Sequence, residues 1–597
     1  MMRVADYMIE RLYALGVKHL FLVTGRGILF LSDAAARHKE LKSICVHHEQ
    51  AASFAAMAYT QCNETIGACL VSTGCAATNA LTGLLCAWQD DVPCVFVSGQ
   101  NKLAQTTRFS GIPLRTFGQQ EADIISLVSP ITKYAVMITD PGKIGYEMDK
   151  AFFMAQSGRN GPVWIDVPLD IQNMRVAPEK LERFVPDTHV SCFNPQGSDI
   201  EYAIDCFENA QRPVLLIGSG VRSSSGALAQ LEAFVEMFPV PVTFTASAAD
   251  VYGEANKLSM GAVGSIGGTR AGNMALQNAD LLIALGSRLS PITTGETYSK
   301  FARKALIIAV DIDNVEHSKN TVKIDRLIVS DAGCFLKALG NRGIRPADPG
   351  WIDKCLHWKQ VFPKCEEKYK QSEKVDLHYL AACLSRLLPE KGVLITDAGL
   401  EELIIPSTVS FGKSQRCIHP ASQGAMGYAL PAAIGVYYAH GTDIIAVIGD
   451  GSIMMNLQEL QTIKYNKIPV KILVVNNNVY SVIRTRQQEL FRTRTIGTDP
   501  GNGVSCPDFE NVARCFDIPY LKIGSSSELF GSLEHIIKTV QGPLLCEIIA
   551  RPDQEYLHSA YAHNKDRKIV SRPLEDQAPF MDRELFLSEM VIDPIDQ

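Results

Sequence analysis

Ile444-Ile445-Ala446-Val447-Ile448-Gly449-Asp450-Gly451-Ser452 reads as a buried strand that ends in an aspartate between two glycines. An apolar run without a polar interruption is the pattern of a strand covered on both faces of a parallel sheet. A helix pattern follows. Glycines beside the turn let backbone N–H groups approach an anion, and Asp450 at the strand's carboxyl end supplies a hard oxygen ligand. A second run, Val470-Lys471-Ile472-Leu473-Val474-Val475, ends at Asn476-Asn477-Asn478. Asn477 follows Asp450 by 27 residues, room for one helix and the next strand. Both side chains are therefore expected at one sheet edge, where open α/β sheets bind ligands. A carboxylate, an amide oxygen, a backbone carbonyl and phosphate oxygens together suit Mg2+, which takes about six oxygen ligands.

Further apolar runs at 392–396 and 543–549 complete this C-terminal set. Similar runs at 19–24, 66–72, 93–98 and 163–167 form a first set, and those at 212–218, 240–244, 280–285 and 305–311 a second. Polar, Pro-containing stretches near 174–199 and 340–352 read as linkers. The expected fold class is α/β, with three doubly wound parallel-sheet domains at 1–175, 195–340 and 371–552. A polar segment, 553–597, follows as a tail or lid, with a short helix near 582–590.

The 597 residues carry a formal net charge of −7 and no long basic cluster, which argues against a nucleic-acid partner. No apolar stretch is long enough to span a membrane, and none at the N-terminus reads as a secretory leader. The 16 cysteines are scattered, with no Cys-x-x-Cys pair and no zinc-type Cys/His spacing. They are expected to be reduced, mostly buried thiols in a cytoplasmic protein.

Gly449-Asp450-Gly451-Ser452 with the spaced Asn476-Asn477 resembles the thiamine-diphosphate motif, and from about residue 3 to residue 550 the chain resembles the acetolactate synthase group (catalytic large subunit). The resemblance implies pyrimidine-binding, central and diphosphate-binding domains in that order. It implies thiamine diphosphate held through Mg2+ on Asp450, Asn477 and the carbonyl of Val479, with Gly399, Gly449, Gly451 and Ser452 around the diphosphate. Glu49, in Val46-His47-His48-Glu49-Gln50, matches the family's glutamate. That residue hydrogen-bonds N1′ of the aminopyrimidine and so activates the cofactor. Met426, in Gly424-Ala425-Met426-Gly427, matches the residue that props the cofactor into its bent shape. Gln120, in Gln119-Gln120-Glu121, matches an active-site glutamine.

Acetolactate synthases also carry a flavin dinucleotide (FAD) on the central domain, although relatives keep that domain without a flavin. The matching positions are Gly264, Arg288, and Asp313 or Asp331. The acceptor end departs from the family. Thr24-Gly25-Arg26-Gly27 replaces Tyr-Pro-Gly-Gly, Gly74-Cys75 replaces Gly-Pro, and Asp397-Ala398-Gly399-Leu400-Glu401 replaces Asp-Val-Gly-Gln-His. The pocket tryptophan of the family is missing from Arg484-Thr485-Arg486-Gln487-Gln488, and the loop 101–118 is longer. Arg26, Arg484 and Arg486 are therefore expected at an anionic acceptor.

The implied reaction is decarboxylation of pyruvate and transfer of its two-carbon unit to a carbonyl acceptor, either pyruvate or a nucleotide-linked keto sugar. The pathway is open between branched-chain amino acid biosynthesis and specialised sugar metabolism. Simple 2-keto-acid decarboxylation and a non-catalytic cofactor-binding or regulatory subunit are the competing readings. The resemblance also implies a homodimer or homotetramer with shared active sites, with or without a regulatory subunit.

Overall fold

The computed structural model describes residues 1–186, 193–224, 226–253, 255–441, 443–564 and 566–595. It contains three six-stranded sheets in which every strand pair is parallel. The N-terminal sheet runs Lys42–Cys45, His19–Leu22, Gly67–Val71, Cys94–Gln100, Val163–Pro168, Tyr134–Met137 across its width. The C-terminal sheet runs Arg416–Ile418, Val393–Thr396, Ile444–Gly449, Lys471–Asn476, Leu544–Ile549, Tyr520–Ile523. Numbered within each domain, both orders are 2-1-3-4-6-5. The central sheet differs, running Ser259–Ala262, Val242–Phe244, Pro213–Ile217, Leu281–Leu285, Leu306–Asp311, Arg326–Val329, or 3-2-1-4-5-6. This is the order of dinucleotide-binding doubly wound sheets, whose ligand crevice opens where the order reverses. In the central sheet that place is between the ends of Pro213–Ile217 and Leu281–Leu285. In the C-terminal sheet it is between Val393–Thr396 and Ile444–Gly449.

The inner strands are apolar because helices cover both faces; Ile444–Ile448 and Ile472–Val474 are at most 2% exposed. The N- and C-terminal domains meet through two small-residue helices, Glu49–Asn63 and Ala429–His440. A Cβ on Gly435 would stand 2.1 Å from the Ala55 carbonyl, so only glycine allows this approach. Phe54 packs edge-on against Tyr428, whose hydroxyl donates to Gln61 Oε1 at 2.6 Å. Arg416 ties all three domains: it donates to Asp250 Oδ2 at 2.8 Å and to the Cys62 and Gln61 carbonyls at 2.8 and 2.7 Å.

The stretches read as linkers carry more structure than expected. Arg175–Val176 pairs antiparallel with Met2–Arg3, and residues 187–192 lie outside the described residues. Helix Pro349–Val361 starts inside the second stretch and buries Trp351 and Trp358 against the central domain. The segment after 553 packs on the central domain. Glu575 receives Arg303 and Gln277, both at 2.6 Å, and helix Arg583–Glu589 sets Glu589 against Lys354 and His357. No helix of the described residues is long and apolar enough to cross a membrane. Cys69, Cys94 and Cys546 are buried free thiols.

Candidate active site and central cavity

Strands Ile444–Gly449 and Lys471–Asn476 are neighbours, pairing Gly449 with Val475. Asp450 and Asn477 therefore emerge from one sheet edge. The Asp450 carboxylate is buried and receives backbone N–H groups from Gly451 at 2.7 Å and Asn478 at 2.6 Å. Burial pushes it up to about 6, against those hydrogen bonds, and no basic side chain pairs with it among the described residues. Asn477 Oδ1 receives the Val479 N–H at 3.1 Å, and its amide donates to Ser481 Oγ at 3.0 Å. A buried carboxylate without a cationic partner among the described residues, with the Asn477 amide at the end of the neighbouring strand, fits a hard divalent cation. Among the described residues no group of three or more His, Cys, Asp or Glu could hold a metal. Gly451 lies under the Tyr480 ring, where a Cβ would come within 1.7 Å.

Asp397 organises the same edge. Its fully buried carboxylate receives N–H groups from Ala398 (2.7 Å), Gly427 (3.1 Å) and Ala429 (2.8 Å), and the Ser452 hydroxyl. Ser452 Oγ in turn receives the Gly427 N–H at 2.9 Å. The Ser452 side chain thus joins the Gly427 turn, which carries half-buried Met426, to the Asp450 turn. Glu401 completes the wall. Its carboxyl lies 3.2 Å from where a Cβ of Gly399 would stand and 3.3 Å from that of Gly449. Burial pushes it up to about 8, with Asp450 and Asp397 adding to the rise, so it is largely a neutral acid at pH 7. Glu401 therefore adds little negative charge to this edge, and the glycine turns and the Ser452 hydroxyl around it are compatible with a diphosphate.

On the N-terminal domain, Glu49 opens helix Glu49–Asn63 and accepts from the Asn79 amide at 2.9 Å. Its loop is fixed from the C-terminal domain: the His47 N–H donates to Glu459 Oε1 at 3.0 Å. Asn456 joins the two halves, donating to Gln50 Oε1 at 3.0 Å and to the Gly427 carbonyl at 2.9 Å. Gln120 is exposed, with a left-handed backbone (φ 58°) seated against Gly74. Strained backbone of this kind concentrates at functional sites. Buried Glu121 holds the loop before it, accepting from Thr107 and from the Phe117 N–H.

The three acceptor arginines each have a protein partner, and only Arg486 finds it on its own helix. Arg26 donates to Gln119, Arg484 to the Pro552 carbonyl at 2.6 Å, and exposed Arg486 pairs with Glu489 at 2.9 Å. The flavin positions divide as well. A cavity of about 780 Å³ opens at the reversal point of the central sheet, lined by Gly218–Gly220, Gly286, Arg288 and Asp331. Gly264 and Asp313 do not line it. The Gly264 carbonyl is taken by Gln577 at 2.9 Å, and Asp313 by Arg159 at 3.0 Å. Asp331 lies in the wall but also caps helix Ala332–Arg342.

Sequence reasoning did not single out Asn79, Asp397, Glu401, Asn456 or Glu459 as site residues. Asp397 and Glu401 were legible as the residues following a buried strand at the same edge. Asn456 and Glu459 act through contacts about 400 residues away in sequence, for which no local signal exists.

Known proteins agree with this arrangement. Residues 2–127 match the thiamine pyrophosphate enzyme N-terminal TPP binding domain, 200–339 the central domain and 397–548 the C-terminal TPP binding domain, TPP being thiamine diphosphate. Acetolactate synthase 1, chloroplastic, of Zea mays is 30% identical over 93% of this chain and 86% of its own length. The acetolactate synthase large subunit of Parasynechococcus marenigrum is 32% identical over 85% of this chain and 81% of its own. With its three sheets and its Asp450 edge, the chain belongs to the thiamine pyrophosphate enzymes, as a thiamine-diphosphate-dependent carboligase resembling acetolactate synthase.

Proposed function

We propose that Asp450, Asn477 and the Val479 carbonyl hold Mg2+, that the ion holds thiamine diphosphate, and that the enzyme transfers a two-carbon unit from pyruvate to a carbonyl acceptor. The observation that carries this is the buried Asp450 carboxylate, which has backbone donors and, among the described residues, no cationic side chain. When bound, the cofactor supplies the thiazolium carbon at which a 2-keto acid is decarboxylated and from which the fragment passes on. Asn79 fixes one oxygen of Glu49 and leaves the other to hold the proton shared with the aminopyrimidine. Met426 would support the bend, Glu401 would keep its proton and donate a hydrogen bond to a diphosphate oxygen, and Gln120 would orient a substrate oxygen. Two or more copies assemble around shared sites. The central cavity takes a nucleotide or dinucleotide, FAD being the family's ligand. Its glycine-lined strand ends suit a diphosphate, and its size suits a cofactor.

Pyruvate incubated with protein, Mg2+ and cofactor, with and without a panel of carbonyl acceptors, tests this by mass spectrometry. Carboligated product is expected, and Glu49→Gln lowers its rate by about 100-fold or more. Acetaldehyde alone under every condition, or a Glu49→Gln rate equal to the parent's, overturns the reading.

A further inference from the structure

The cavity at the central sheet's reversal point is closed at one corner by all three domains. Asp90 comes from the N-terminal domain at the end of helix Leu81–Gln89, Ser422 from the C-terminal domain, and Arg288 from the turn after strand Leu281–Leu285. Asp90 Oδ1 accepts the Ser422 N–H at 2.9 Å. Its other oxygen, Oδ2, is buried and has no hydrogen-bond partner among the described residues. Arg288 is half-buried, and its guanidinium has no partner among the described residues; only its backbone carbonyl is used, by Lys319. The two groups are close enough for Arg288 to bias the Asp90 carboxyl electrostatically, yet they do not bond each other. Asp91, the next residue, is taken by Arg159 at 2.7 Å and does not compete.

A buried acceptor and a half-buried donor, both unsatisfied in one cavity, are costly unless a ligand completes them. The ligand must then present an N–H and an oxygen acceptor side by side. We propose that this corner reads the lactam or imide edge of a ring, Asp90 Oδ2 accepting the ring N–H and Arg288 donating to the adjacent carbonyl. Flavin, uracil and guanine rings present that pair; adenine and cytosine do not. The inference rests on the cavity being the nucleotide site proposed above. It assigns Asp90 and Arg288 as the residues that select the base or ring, while the glycine-lined strand ends serve any diphosphate.

Equilibrium binding of FAD, UDP, GDP and ADP to the full-length protein, with 3-methyl-FAD and 3-methyl-UDP as edge-blocked probes, tests it. At least one of FAD, UDP and GDP is expected to bind more tightly than ADP, and which one does so identifies the source of the ring. For FAD or UDP, methylation of the ring nitrogen is expected to weaken binding by about 10-fold, the loss from leaving the buried Asp90 oxygen without a hydrogen bond; for GDP, 1-methyl-GDP is the matching probe. Asp90→Leu is expected to bring the unmethylated ligand down to the level of its methylated form and leave ADP unchanged. If Asp90→Leu does not fold, the methylated pair on the parent protein decides by itself. Equal affinity for a ligand and its methylated form overturns the edge reading and leaves the nucleotide cavity standing. Failure of all four unmodified nucleotides to bind overturns both.

Discussion

The Asn79 amide donates to Glu49 Oε2 at 2.9 Å. It fixes the orientation of the one carboxylate that helix Glu49–Asn63 presents at its first turn. Asn79→Ala is therefore expected to lower kcat by about 10-fold through a freed Glu49 rotamer, with KM for the 2-keto acid little changed. Steady-state kinetics check this. A change confined to KM would place Asn79 at the substrate instead.

Asp397 is a fully buried carboxylate with four donors aimed at it. Replacing it by alanine removes the acceptor of the Ala398 and Ala429 N–H groups and of the Ser452 hydroxyl, while the Gly427 N–H keeps Ser452 Oγ. Asp397→Ala is expected to cost about 2–4 kcal/mol in urea unfolding and to weaken cofactor binding, because the Gly427 and Ser452 turns lose their common anchor. Unfolding curves with the cofactor present and absent separate the two effects.

Glu401 gives a pH signature to the cofactor-free protein. Its folded value, about 8, lies above the usual 4.5, so the folded state keeps a proton that the unfolded state releases. The stability tied to it is full below pH 4.5 and is lost as pH rises through 8. Glu401→Gln is expected to unfold at higher urea than the parent at pH 8.5 and near the parent's midpoint at pH 5. A gain of equal size at both values would assign the effect to packing.

Asp250 has the opposite sign. Arg222 and Arg416 hold its carboxylate down to about 2 despite burial. Its contribution is present above the ordinary value of 3.8 and is lost as pH falls through 2. Arg416→Met leaves that charge without its inter-domain partner and is expected to cost about 3–5 kcal/mol. Partial unfolding of the domain contacts, seen by hydrogen exchange in helices Glu49–Asn63 and Ala429–His440, checks it.

Much of this was legible in the sequence, and the boundary is physical. Inner strands such as Ile444–Gly449 and Cys94–Gln100 announce themselves because burial on both faces demands unbroken apolar runs. Edge strands such as Lys42–Cys45 and Arg416–Ile418 are short and part polar, so no run marks them. Asp450 and Asn477 were legible because adjacent parallel strands convert a sequence spacing into a shared edge. Gly264 and Asp313 were misleading for the cavity. Each sits near it in sequence pattern, but a tail glutamine and Arg159 use them for inter-segment contacts. Glu459 and Asn456 depend on the N-terminal domain docking, which local pattern does not encode.

Calorimetric titration of thiamine diphosphate into the full-length protein, with and without Mg2+, on the parent and on Asp450→Ala, tests the central claim most directly. The parent is expected to bind tightly only with Mg2+ present, and Asp450→Ala to lose about 100-fold or more in affinity at the same Mg2+ concentration. Equal cofactor affinity for parent and variant with Mg2+ present would contradict the account.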